Sequence, residues 1–265
     1  MNKINLAFIG CGAICTQIIQ YLNENLPNKF DIKIIIDNNI NRTKKKCDNW
    51  NIKPVISDQF TDYLVQNDID LVIESASVNS VKNYAIEILS KSDLLIASVG
   101  ALSDEKFYSK LLSQSVEYNN KLIIPHGAIG GLDAIGAVKN SISFIKITTT
   151  KSPESLIGSE GFKKYENHKF ENKKLIFKGS AKEAISLFPK NLNVAVTLSL
   201  YGVGTQDTNV ELIVDPDIKT NKHTIYLEGD FGTMNFDFSL NQSLTNPKTS
   251  ALAALSIIKS LEDYK

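Results

Sequence analysis

Gly10-Cys11-Gly12 follows the largely apolar run Ile4-Asn5-Leu6-Ala7-Phe8-Ile9 and leads directly into Ala13-Ile14-Cys15. Two glycines one residue apart let a backbone turn tightly and approach a pyrophosphate, whose charge then sits at the N-terminus of the following helix. The chemistry this would serve is dinucleotide binding, with Gly10, Gly12, Ala13 and Ile14 as contacts. The third small residue of such a motif is Cys15 here, still small enough for close helix–strand packing. Downstream, Ile34-Ile35-Ile36-Asp37 places a carboxylate where adenine-ribose hydroxyls can donate to it, which favours NAD. Arg42 stands near enough to accommodate a 2′-phosphate, so NADP remains open as well. The plainer alternative is a tight turn in an α/β protein that binds no nucleotide, with Asp37 merely starting a loop.

The second group surrounds His223, in Asn221-Lys222-His223-Thr224-Ile225-Tyr226-Leu227. With a period of two, His223 shares a face with Asn221, Ile225 and Leu227 and should point inward. An imidazole titrating near ~6.5 suits proton exchange. Read from the residues alone, His223 is better explained as a core or interface histidine satisfied by one hydrogen bond. His168 falls in the polar run Tyr165-Glu166-Asn167-His168-Lys169 and reads as exposed, while His126 precedes a Gly-rich turn and could reach a cofactor. The three histidines lack metal-ligand spacing, and no metal is expected.

The first half of the chain alternates short Ile/Val/Leu-rich segments with amphipathic ones. Strands are expected at Asn5–Ile9, Ile32–Ile36, Asp70–Ile73, Leu94–Ala97 and Leu122–Ile124. Helices are expected at Ala13–Leu26, Arg42–Trp50, Asp58–Gln66, Ser80–Leu89 and Asp104–Tyr118. Unbroken apolar strands joined by helical crossovers indicate a Rossmann-type, doubly wound parallel sheet over residues 1–125. The segments Ser75–Val78 and Ser98–Leu102 should then lie at strand ends beside a cofactor.

After Pro125 the texture changes. His126 to Asp133 is a Gly-rich turn opening a helix through Val138. Strands at Ser143–Thr150 and Lys174–Lys178, helices at Ala181–Phe188 and Asn193–Tyr201, and strands near Thr208–Val214, Thr220–Glu228 and Thr233–Leu240 follow. This grouping predicts a second, α+β domain with an open mixed sheet over residues 126–245. Residues 246–265 read as a C-terminal helix packing back near the first domain, with Asn246 as cap and Pro247 at its first position.

Composition narrows the class. There are 29 basic and 29 acidic residues, and the only dense basic run is Lys44-Lys45-Lys46, so a broad nucleic-acid surface is not expected. Three cysteines, Cys11, Cys15 and Cys47, do not make a disulfide framework. No stretch approaches the ~18–20 apolar residues of a membrane span, the run Ile4–Ile9 is too short for a secretory h-region, and a cytoplasmic location is the default expectation.

Four stretches of the second half, with the N-terminal Gly-Cys-Gly-Ala-Ile, resemble L-aspartate dehydrogenases. They are Gly127-Ala128-Ile129-Gly130-Gly131-Leu132-Asp133; Gly179-Ser180-Ala181-Lys182-Glu183-Ala184 continuing to Phe188-Pro189-Lys190-Asn191-Leu192-Asn193-Val194-Ala195; Asp215-Pro216 with Asn221-x-His223; and Asn246-Pro247-Lys248-Thr249-Ser250-Ala251-Leu252. The resemblance implies oxidation of L-aspartate by NAD or NADP to iminoaspartate, which hydrolyses to oxaloacetate and ammonia or feeds quinolinate and NAD biosynthesis. It implies Ala128 and Asn193 as cofactor contacts, His223 as the active-site histidine, and a homodimer. Asn193 also stands where a helix cap is expected. His126 departs from the small residue more usual in the family.

A dicarboxylate substrate usually invites a guanidinium clamp, yet Arg42 is the sole arginine. Lysines or hydroxyls must therefore serve, and Lys182, Lys190 and Lys248 inside the matching stretches are the candidates, with Asn221, Thr249, Ser180 and Ser250 as further polar groups. Two other readings stay open. One is a related imine or amino-acid reductase, homoserine dehydrogenase-like or dihydrodipicolinate reductase-like; the other is a non-catalytic NAD(H) sensor.

Overall fold

The structure, a computed structural model, describes residues 3–60, 68–243 and 246–265, without the side chains of 243 and 246–249. The chain divides into two compact units, residues 1–125 with 257–265, and residues 126–256.

The first unit holds a six-stranded parallel sheet built from β1 (Ile4–Ile9), β2 (Phe30–Ile36), β3 (Val55–Ser57), β4 (Leu71–Glu74), β5 (Asp93–Ile96) and β6 (Leu122–Ile123). Its strand order is β3-β2-β1-β4-β5-β6, so the order reverses between β1 and β4. That reversal is the topological switch point at which doubly wound sheets bind their ligands. Helices α1 (Ala13–Asn25), α2 (Ile40–Asn49), α3 (Val78–Leu89) and α4 (Glu105–Tyr118) supply crossovers. Side-chain caps open three of them: Asn39 accepts from Arg42 N, Ser77 from Ser80 N and Asp104 from Phe107 N. The expected helix at Asp58–Gln66 lies largely outside the described residues, and β3 was not anticipated.

Leu6, Phe8, Ile35, Leu71, Ile73 and Leu95 are fully buried and pack with Ile18 and Ile19 of α1. Ile257, Ile258 and Leu261, from helix α9 (Ala251–Asp263), complete this core. Each such buried aliphatic contributes about 1.5–3 kcal/mol. The same end of α9 is tied down by Lys29, whose Nζ donates to Leu261 O at 3.0 Å and Glu262 O at 2.7 Å.

The second unit opens with α5 (Leu132–Ala137) and β7 (Ile142–Lys151). The segment that follows contains the single-turn α6 (Pro153–Leu156) and a 3-10 turn at Glu160–Tyr165. Then come β8 (Lys174–Ser180), α7 (Ala181–Leu187), α8 (Asn193–Tyr201), β9 (Asn209–Val214), β10 (Thr220–Gly229), β11 (Gly232–Ser243) and β12 (Asn246–Ser250). The sheet order is β12-β11-β10-β7-β9-β8. It is mixed, because β7 and β9 run parallel while the other neighbours are antiparallel. On one face Ile145, Ile147, Val210, Leu212, Ile225 and Leu227 are buried, alternating with half-exposed residues on the other, as a sheet with one covered face requires.

Two expectations about helix starts are corrected. Asn246-Pro247 does not open the last helix: residues 246–250 form edge strand β12, with Gln242 paired to Ser250, and the helix begins at Ala251. Proline fits an edge strand because the amide hydrogen it lacks has no neighbour to bond. Asn193 is not the cap of α8 but its first helical residue; Leu192 holds the cap position, without a side-chain hydrogen bond.

Candidate active site

In the first unit the polypeptide leaves β1 at Gly10, with φ of +89°, a conformation that L side chains rarely adopt. A Cβ at Gly10 would also stand 2.8 Å from Ala76 Cβ and 2.9 Å from its Cα, so glycine is required twice over. Gly12 is different. It precedes α1 with ordinary φ, and a Cβ there would meet nothing within 4 Å. The open space lies directly over the start of α1, beside Ala13 and Ile14, where backbone N–H groups and the positive end of the helix favour an anion. A dinucleotide pyrophosphate fits such a cradle.

Asp37, just beyond β2, has both oxygens engaged. Oδ2 accepts from Cys11 N at 2.7 Å and Oδ1 from Asn39 N at 2.8 Å, while Arg42 Nη2 reaches both at 3.2 and 3.1 Å. The carboxylate therefore braces the glycine turn itself. A ribose hydroxyl seeking it competes with the half-exposed Arg42, the loosest of those partners. Lys46 adds a second brace, donating to Cys11 O at 2.8 Å and Thr16 Oγ1 at 2.9 Å. Cys11, Cys15 and Cys47 are free thiols, all buried. Cys15 holds the Cys11 thiol down to about 7 through a side-chain hydrogen bond, with burial opposing and Thr43 and Lys46 assisting.

Sequence reasoning missed Glu74, at the end of β4. It is buried, and its Oε1 accepts from Ala76 N and Ser77 N, each at 2.8 Å, and from Ser98 Oγ at 3.0 Å; Oε2 accepts from Ser98 N at 3.0 Å. Burial raises its pKa, and the hydrogen bonds from Ala76, Ser98 and Ser77 oppose that. One carboxylate thus fixes the loops after both β4 and β5, at the strand ends beside the switch point. The available signal was a lone glutamate closing Leu71-Val72-Ile73, too common a pattern to single out.

In the second unit His223 is buried on the inward face of β10. Its antiparallel partner is Thr149 of β7, and Thr149 Oγ1 and His223 Nδ1 share a hydrogen bond of 3.0 Å. The expected titration near 6.5 does not hold. Burial, with the positive charge of Lys151 adding to it, pushes the imidazole down to about 3, so His223 is neutral throughout the physiological range. Lys151 is itself buried, and that burial pushes its ammonium down to about 8. Asn221, one pleat from His223 on the same face, is buried with neither Nδ2 nor Oδ1 hydrogen-bonded.

The other sequence candidates are placed as follows. Ala128 is buried in the turn before α5, where Gly127 N donates to Ser256 Oγ at 2.8 Å, and Asn193 is half-buried at the start of α8. Lys182 and Lys190 are exposed. Lys182 follows β8, which is three strands from β10, about 14 Å at the usual spacing. That spacing sets Lys182 apart from His223. Lys248 and Thr249 stand in β12, and their side chains lie outside the described residues. Ser180 is consumed in a capping box with Glu183, whereas the buried Ser250 Oγ has no partner. His126 is exposed, edge-on to Tyr201 at 5.7 Å, and His168 packs against Phe170 at 4.7 Å. Among the described residues no cluster of three or more His, Cys, Asp or Glu could hold a metal ion.

Comparison with known proteins places this geometry. Residues 133–264 match the C-terminal domain of aspartate dehydrogenase, and residues 10–125 match the NAD-binding domain of homoserine dehydrogenase. The chain is 39% identical to an L-aspartate dehydrogenase of Nitrosopumilus maritimus, covering 98% of this chain and 96% of the relative. It is 33% identical to one of Methanocaldococcus jannaschii, at the same two coverages. Among solved structures it matches aspartate dehydrogenase of Thermotoga maritima with a TM-score of 0.76 and 27% identity, over 98% of this chain and 96% of the other. A homoserine dehydrogenase of Thiobacillus denitrificans, at 10% identity and a TM-score of 0.61, shares the fold. The near-complete coverage of both relatives, at 39% and 33% identity, shows that this chain belongs to the aspartate dehydrogenase family.

Proposed function

We propose that the chain is an NAD(P)-dependent L-aspartate dehydrogenase, oxidising L-aspartate to iminoaspartate, which hydrolyses to oxaloacetate and ammonia or supplies quinolinate and NAD biosynthesis. The observation that carries this reading is the placement of His223, neutral and held by Thr149, in a polar patch at the end of the inward sheet face, in the unit that matches the aspartate dehydrogenase C-terminal domain. Gly12, Ala13, Ile14 and Asp37 would hold the dinucleotide, with Ala128 and Asn193 as further contacts. Bound NAD(P) supplies the hydride acceptor for oxidation of aspartate at C2 and the hydride donor for the reverse reaction.

The residues of the chain do the rest. A neutral imidazole offers one nitrogen to Thr149 and leaves Nε2 for the substrate amine, where it accepts or returns a proton. Exclusion of water from this face protects the imine and strengthens each polar contact made there. We further propose a cytoplasmic homodimer. The exposed Phe144, with the Tyr226 ring 6.2 Å away on the outer face of the second sheet, would lie in such a contact.

Oxidation of NADH and of NADPH should be followed with oxaloacetate plus ammonium, and with pyruvate or 2-oxoglutarate in its place. Turnover confined to oxaloacetate supports the assignment. Turnover of aspartate semialdehyde to homoserine instead would identify a homoserine dehydrogenase, and coenzyme binding without any turnover would identify a sensor.

A further inference from the structure

The single arginine of the chain is bound to Asp37 in the first unit, so the second unit needs another cation if it is to hold a dicarboxylate. Among the described residues Lys151 is the only buried lysine. It is the last residue of β7, two positions beyond Thr149, and alternation places it on the same inward face. The β7–β10 register pairs His223 with Thr149 and Lys222 with Thr150, and continuing it sets Asn221 opposite Lys151. Paired residues on one face carry their Cβ atoms about 4.5–5.5 Å apart. Lys151, Asn221, Thr149 and His223 therefore form one polar patch at the end of a face that is otherwise apolar.

Asn221 shows that the patch is incomplete. Its amide carries an acceptor and two donors, is 1% exposed, and bonds to nothing. Native proteins seldom leave such a group unsatisfied, because the desolvation penalty is large. What completes it must present an acceptor to Nδ2 and a donor to Oδ1 side by side, next to an ammonium. An α-amino carboxylate has both.

We propose that Lys151 and Asn221 form the subsite that binds a substrate carboxylate beside His223, an inference that rests on the aspartate dehydrogenase reading above. Lys151 supplies the charge and Asn221 the amide donor, while the Asn221 oxygen accepts from the substrate amine. Pairing Lys151 with a carboxylate also cancels the positive charge that helps to keep His223 unprotonated, so binding the correct anion makes the imidazole a better base. Burial brings the ammonium down to about 8, and its deprotonation above that sets the upper limit for anion binding.

Succinate, a dicarboxylate without an amine, is the probe. Its inhibition constant against aspartate should be measured from pH 6 to 10 for the wild type and for Lys151→Met, with NADH binding followed by fluorescence in both. The wild type should lose succinate affinity about tenfold per pH unit above a break near 8. Lys151→Met should bind NADH as before, raise the KM for aspartate and the succinate constant at least 30-fold at pH 7, and show no break. An unchanged KM and succinate constant, or a loss confined to kcat, would overturn the subsite while leaving the dehydrogenase reading intact. A wild-type succinate profile flat from pH 6 to 10 would overturn it without any variant. Failure of the wild type to oxidise aspartate would strike the parent reading instead.

Discussion

Thr149 Oγ1 lies 3.0 Å from His223 Nδ1, across directly paired positions of adjacent antiparallel strands. The hydroxyl fixes the ring's rotation and occupies one nitrogen, leaving the other to face whatever binds on that surface. Thr149→Val keeps the β-branched shape and removes the bond, leaving a buried ring nitrogen unpaired. A stability loss of about 1–3 kcal/mol is expected. So is a several-fold fall in kcat with NADH affinity unchanged. Denaturant unfolding and steady-state kinetics on the same preparation check both, and unchanged kcat would show that the bond serves only stability.

His223→Ala should leave NAD(H) binding largely intact and cut turnover at least tenfold, within the ~10²–10⁴ range of general acid–base contributions. Because burial holds the imidazole at about 3, its ring signal, assigned by difference from the variant, should not titrate between pH 8 and 5 in the unliganded protein. A midpoint near 6.5 would mean that the ring is hydrated rather than buried.

Lys151 ties stability to pH. Its folded value of about 8 lies below the ordinary lysine value of 10.5, so between those limits the unfolded chain carries a proton that the folded chain has released. Stability from this group therefore rises with pH across that window, and the buried charge costs stability below it. At pH 7, Lys151→Met should be more stable than the wild type by about 1–3 kcal/mol. The difference should shrink as the pH is raised from 8 to 10.5. Urea unfolding at pH 7 and 10 measures it; a less stable variant with no dependence on pH would contradict the buried-ammonium account.

Glu74 gathers donors from two loops, and neither oxygen is replaceable by an amide nitrogen. In Glu74→Gln the new NH2 group must face either Ser98 N or the cluster at Ala76 and Ser77, setting donor against donor. An expected cost of about 1–3 kcal/mol follows from one buried donor left unpaired. Dinucleotide affinity should weaken with it, because these loops border the switch point. Thermal unfolding with and without NADH reports both effects.

Arg42 bridges both oxygens of Asp37 and is half exposed. Removing it in Arg42→Ala frees the carboxylate for ribose hydroxyls and deletes the one guanidinium able to meet a 2′-phosphate. The KM for NADPH should rise at least tenfold while that for NADH stays level or falls, as parallel titrations of the two coenzymes would show. Equal effects on both would place Arg42 outside the coenzyme's reach.

The alternating architecture of the first unit was legible because parallel strands covered on both faces read as unbroken Ile/Val/Leu runs, and Gly10-x-Gly12 sits where one of them ends. The inward direction of His223 was legible from the period of two in residues 221–227. Pro247 misled because Asn-Pro also opens helices, and only the pairing of residues 246–250 with β11 selects strand over helix there. Lys151 and Glu74 were invisible for a common reason. A lysine ending Thr-Thr-Thr-Lys and a glutamate ending Leu-Val-Ile-Glu look like solvated strand ends, and it is tertiary packing that buries them. Of the matching stretches, the one at 179–184 also carries a local structural role, the Ser180–Glu183 capping box, which the sequence alone does not separate from a binding role.

The central claim is that this chain moves a hydride between a nicotinamide and C2 of aspartate with His223 beside the reacting carbon. The most direct measurement incubates the wild type and His223→Ala with oxaloacetate, ammonium and NADH carrying deuterium at C4, and locates the label by mass spectrometry and proton NMR. The account predicts L-aspartate deuterated at C2 from the wild type and at least tenfold less from the variant. Aspartate without the label, or equal labelling by both proteins, would contradict it.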